Sequence, residues 1–75
     1  MPIDERKIDE AVLGLLYLTL HEDGRAWKGF DWQAMNRLHA KGMISDPVCK
    51  AKSVVFTEEG QRRAEQLLHE LFARR

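Results

Sequence analysis

The sequence holds one cysteine, Cys49, which excludes an intrachain disulfide and any thiolate cage for a structural zinc. Neither sign of charge is in excess. Twelve Lys and Arg meet twelve Asp and Glu, and the isoelectric point is near 6.8, whereas dedicated DNA-binding domains are usually basic. Long apolar runs are missing too: the richest stretch, Ala11 to Leu20, is half the length of a membrane span. The opening stretch Met1 to Glu10 is charged where a secretory signal would need an apolar run, so the expected location is the cytoplasm. Repeats, linkers and low-complexity segments are absent, and residues 1–75 read as a single domain.

What is present is a 44% hydrophobic complement in 75 residues, enough for one small core. A chain of this size buries only about 60–65% of the surface it exposes when unfolded, so it gains from a partner subunit. The charges are also divided along the chain. Residues 1–24 carry four more acidic than basic side chains, residues 25–52 carry four more basic than acidic, and the remainder balances. Such polarity suits a basic docking face, or lets the acidic end of one protomer meet the basic middle of another.

Ile8, Ala11, Val12, Leu15, Leu16, Thr19 and Leu20 follow the spacing of one helical stripe, with Asp4, Glu5, Asp9 and Glu10 favouring the positive end of the dipole and Gly24 as the stop. Leu13, Tyr17 and Leu18 fall outside that stripe. Either the rest of the domain wraps this helix, or these three residues pack against a second copy; a homodimer is the expected assembly. Residues 25–29, too short and glycine-broken for a helix, read as a tight connection. Asp31 reads as the N-cap of a helix over 32–41, with Phe30 and Met35 as its hydrophobic staple. Gly42 supplies the left-handed position after its end, turning Met43 back onto Leu38.

Met43 and Ile44, the Asp46-Pro47 turn and the run Ser53 to Phe56 suggest a two-stranded ribbon over 43–56, with 45–52 as its exposed connection. Thr57 can cap a last helix, Gly60 permits close packing there, and Ala64, Leu67, Leu68, Leu71 and Phe72 form its buried stripe. The expected fold is α+β and mainly helical: three helices, with a short two-stranded ribbon before the last.

The order of a helix ending in Leu38-His39-Ala40-Lys41-Gly42-Met43-Ile44, a basic ribbon, and Val54-Val55-Phe56-Thr57-Glu58-Glu59-Gly60 opening a long helix resembles bacterial winged-helix regulators over about 32–72. That resemblance implies a helix in the DNA major groove and a wing on phosphates. Carried over by position, it places Gln33, Asn36, Arg37 and His39 toward the groove, Lys41 beside them, and Lys50 and Lys52 on the wing. The support helix of that family has no counterpart in 21–30. The whole chain, through Lys7-Ile8-Asp9-Glu10-Ala11, Gly24-Arg25-Ala26-Trp27-Lys28-Gly29-Phe30-Asp31 and Lys41-Gly42-Met43-Ile44-Ser45-Asp46-Pro47, also resembles a family of short bacterial proteins known as a conserved domain of unknown function, which implies no activity.

No nucleophile-base pair or phosphate-cradling glycine loop occurs, and His21, His39 and His69 stand at no metal-ligand spacing. An enzyme, a metal site, a cofactor and a small-molecule ligand are therefore not expected. Cys49 beside Lys50 is a reactive thiol or, more ordinarily, an inert one in a turn. Trp27, Phe30 and Trp32, interleaved with Arg25 and Lys28, either stack bases or cover the core, and covering the core is the preferred expectation. Gln33, Asn36 and Arg37 have an equally plain reading as the wet face of their helix. The expected role is a non-enzymatic interaction module that self-associates, with DNA binding as the alternative.

Overall fold

The computed structural model describes residues 2–21, 24–48 and 53–74. In chain order the elements are α1 (Glu5–Leu18), β1 (Arg25–Trp27), α2 (Trp32–Ala40), β2 (Ser53–Val55) and α3 (Glu58–Phe72). This is the expected α+β, mainly helical fold of three helices with a two-stranded antiparallel sheet completed before the last helix. No helix among the described residues is long and apolar enough to cross a membrane.

Local signals set the helix ends. Asp4 caps α1, its Oδ1 accepting from the N–H groups of Arg6 and Lys7. Asp31 caps α2 through the Ala34 N–H, as its position before Trp32 predicts. At the far end of α2, Gly42 has φ +77°. Its N–H donates to His39 and the Met43 N–H to Leu38, each at 3.0 Å, the paired bonds that close a helix through a left-handed glycine. Thr57 caps α3 and also ties it to that turn. Its Oγ1 accepts from the Gly60 N–H at 2.9 Å and donates to the Gly42 carbonyl at 2.7 Å.

α1 is the centre of the molecule. α3 lies beside it and runs the same way: Glu10 pairs with Arg63, Gly14 sits against the backbone of Leu67 and Leu68, and Leu18 shares a surface depression with Leu68 and Phe72. Val12, Leu13 and Leu16 of α1 join Ala26, Ala34, Met35, Leu38, Ile44, Val54, Phe56, Ala64 and Leu67 in one core, with Ile8, Tyr17, Leu20, Phe30 and Met43 packed on its margin. The rest of the domain thus wraps the first helix at Leu13 and partly at Tyr17 but leaves Leu18 in water, so the first of the two arrangements open from the sequence holds for Leu13 and not for Leu18.

The strand pairing differs from the expected ribbon over 43–56. β2 pairs with residues 25–27, which the sequence suggested were only a connection, in the register Arg25 with Val55, Ala26 with Val54 and Trp27 with Ser53. The 44 side contributes one isolated bridge, Ile44 to Phe56, before the Asp46-Pro47 turn. The reason lies in alternation: Arg25 and Trp27 point outward while the small Ala26 is buried opposite the buried Val54, a period-two pattern too short to stand out between two glycines. Both sheet edges are then engaged locally. The Trp27 N–H donates to Thr19 Oγ1 and the Arg25 carbonyl accepts from His21; on the other edge Ser45 bonds both backbone groups of Val55.

Three further expectations change. α1 ends at Leu18, well before Gly24, because Thr19 turns its hydroxyl back to the Leu16 carbonyl at 2.8 Å and receives β1. Leu71 and Phe72 are half-exposed instead of buried: they form the last turn of α3, level with the end of α1 at Leu18, beyond the residues that join the core. Trp27 and Trp32 are 64% and 54% exposed and do not cover the core; of the three neighbouring aromatics only Phe30 packs on it.

Candidate functional site

Asp9 lies on the core face of α1, in helical register with Val12, Leu13 and Leu16, and is buried. A buried carboxylate is tolerated only when paired and hydrogen-bonded. α2 supplies both partners. Arg37 donates from Nε to Oδ1 and Oδ2 at 2.9 Å each and places Nη2 2.8 Å from Oδ1; Lys41, one turn later, places Nζ 3.1 Å from Oδ2. Glu5 adds a 3.3 Å contact to Arg37 from the exposed side. Burial alone would raise the Asp9 carboxyl, but hydrogen bonds and charge from Arg37 and Lys41 outweigh it and hold the group below the ordinary carboxylate value. The same hydrogen bond from Arg37 to Asp9 strengthens the guanidinium's hold on its proton.

With both oxygens engaged by cations, Asp9 is a fixed anion and has no proton to exchange near neutrality. Glu10 pairs across to Arg63 of α3 at 3.3 Å. The acidic start of α1 therefore meets α2 and α3 of its own chain, with Arg37 and Lys41 supplied by the basic middle segment. Among the described residues no group of three or more His, Cys, Asp or Glu is arranged to hold a metal ion.

The residues singled out from the sequence fall into different places. Gln33, Asn36 and His39 lie on the exposed face of α2. Arg37 and Lys41 do not extend that face as available cations, because both are drawn back to Asp9. Lys50, Lys52 and Cys49 lie outside the described residues. His21 and His69 are exposed, and Nδ1 of His21 is 2.8 Å from the Thr19 carbonyl oxygen. Of the three proposed self-association residues, Leu13 is corrected outright: at 2% exposure it is sealed inside the core. Tyr17 is half-buried at the margin, and Leu18 is 66% exposed. The sequence reading missed Asp9 as a buried anchor. The available signal was its i, i+3, i+4, i+7 relation to Val12, Leu13 and Leu16, masked by counting it with the other carboxylates of the helix start.

A second surface feature lies at the C-terminal ends of α1 and α3. There Leu18 and Phe72, with Leu68, His69 and Ala73, line a shallow apolar depression, and Leu71 is half-exposed nearby.

These features define a small three-helix α+β domain with an internally neutralised ion cluster and an uncovered apolar end. Residues 4–74 match the model of a family described as a domain of unknown function, DUF6429, and the chain belongs to that family. It is 61% identical to the uncharacterized protein y4hR of Sinorhizobium fredii over 74 residues, 99% of this chain and 100% of that protein. No solved structure matches the chain, and the likeness to winged-helix regulators gains no support from these relatives.

Proposed function

We propose that the chain is a non-enzymatic interaction module of the bacterial cytoplasm that pairs with a second copy of itself through the apolar end formed by α1 and α3. The observation that carries this reading is the clustering of exposed Leu18, Leu71 and Phe72 at neighbouring helix ends, where Leu18 and Phe72 line one apolar depression. An apolar patch is self-complementary under two-fold symmetry, and a domain this small gains stability by covering it. Asp9, buried and saturated by Arg37 and Lys41, supports an architectural role.

Sedimentation equilibrium from micromolar to millimolar protein tests the proposal. The parent is expected to reach the mass of a dimer, and Leu18→Asp or Phe72→Asp to remain at the mass of a monomer while keeping the parent's helical signal. A parent that stays monomeric at the highest concentration would overturn it.

A further inference from the structure

The exposed indole of Trp27 forms one wall of a half-enclosed slot of about 310 Å³, completed by Phe30, Gly29 and Thr19. We infer that this slot takes an unpaired base of a single-stranded nucleic acid, stacked on Trp27, with Arg25 on the adjoining phosphate.

The slot is preformed. The backbone of Trp27 is fixed by its peptide N–H, which donates to Thr19 Oγ1 at 2.9 Å, and that hydroxyl in turn donates to the Leu16 carbonyl. Gly29 lies against the indole, where even an added Cβ would stand 3.8 Å from Cε2. Phe30 is held by the core on which it packs. Arg25 is exposed on the same outward face of β1 as Trp27, two residues away, and opposite Val55. An aromatic face beside a cation is the pair of features that stacks a base while meeting its backbone charge.

The chemistry also narrows the occupant. Residues 25–30 carry two cations and no carboxylate. Lys28 is already engaged, with Nζ 2.9 Å from the Pro47 carbonyl oxygen and 5.8 Å from the Trp32 ring, which leaves Arg25 as the phosphate contact. The Thr19 hydroxyl has already given its one proton to the Leu16 carbonyl, so it offers the slot no donor for reading a base, and stacking there is tolerant of sequence. A peptide would need backbone partners to add as a strand, but the Arg25 carbonyl, the Trp27 N–H and both groups of Val55 are already bonded. A duplex keeps its bases stacked on one another and has none to insert. This site is separate from the apolar end of α1 and α3, and from the exposed face of α2.

The test uses a fluorescein-labelled oligothymidylate of about 15 nucleotides, long enough for one compact binding site, and the full chain at low salt. In a Trp32→Phe background, Trp27 fluorescence should be quenched on titration. Anisotropy should show affinity about 5- to 150-fold weaker for Trp27→Ala, the range of one lost stacking contact, and a shallower salt dependence for Arg25→Glu. Both side chains are exposed, and an unchanged melting temperature verifies the fold. Absence of binding at low salt, parent-like affinity in Trp27→Ala, a duplex of equal length binding as tightly, or quenching by an acidic peptide but not by the oligonucleotide would each overturn the inference.

Discussion

Asp9 and Arg37, 28 residues apart in sequence, are joined by two 2.9 Å hydrogen bonds from one guanidinium nitrogen and a 2.8 Å ion-pair contact from another. This contact locks α1 to α2 at the edge of the core. Removing the charge of Asp9 leaves Lys41 without its anion and Arg37 with only the exposed Glu5; because both cations keep part of their surface in water, Asp9→Asn should cost about 1–3 kcal/mol, less than breaking a fully buried pair. Urea unfolding at neutral pH measures it.

The same pair sets an acid limb. The folded-state Asp9 carboxyl lies below its ordinary value of 3.8, so the stability it contributes is complete above that value and disappears as the pH falls through the lower, folded value. Parent and Asp9→Asn unfolding curves, well separated at neutral pH, should converge as the pH is stepped downward from 3.8. A constant separation across that range would show that the charge of Asp9 is not what the contact supplies.

Gly60 lies directly on the backbone of Met43, and a Cβ there would overlap the Met43 carbonyl oxygen. Since neither partner is a flexible side-chain tip, Gly60→Ala must push α3 off the turn after α2 and strain the 3.0 Å bond from the Thr57 N–H to the Met43 carbonyl. A loss of at least about 2 kcal/mol is expected. Arg62→Ala, an exposed neighbour, should stay within about 0.5 kcal/mol of the parent in the same melts.

Thr57→Val removes the hydroxyl that accepts from Gly60 and donates to Gly42 while keeping the side chain's shape. Stability should fall by about 1–2 kcal/mol, with faster hydrogen exchange at the Gly60 amide; Thr57→Ser should retain both bonds and most of the stability.

Leu13 and Leu18 both lie outside the apolar stripe first visible in α1, yet the structure separates them. Leu13→Ala should cost about 2–5 kcal/mol by opening a cavity under α3. Leu18→Ala should change monomer stability by less than about 0.5 kcal/mol. Thermal melts at low protein concentration distinguish the two.

The legible parts of the fold share one property. The Asp31 cap, the Gly42 turn returning Met43 to Leu38, and the Thr57 cap each join residues within five positions, so the local sequence contains every group involved. The ribbon expected from Ser53 to Phe56 had the right strand and an incomplete partner. β2 meets residues 25–27 across α2, and three residues of Arg-Ala-Trp between glycines carry too short an alternation to declare a strand.

The sequence by itself determined three helices, the caps of α2 and α3 and the stop of α2 at Gly42, because periodicity and capping act over one or two turns. Tertiary structure alone decided that Asp9 is buried and matched by Arg37 and Lys41, that Leu13 is covered while Leu18 is bare, and that Trp27 faces solvent. Each of those outcomes depends on where α2, α3 and β2 come to rest against α1, and side chains equivalent in pattern acquire different environments only when distant segments close over one of them and leave the other at an open end.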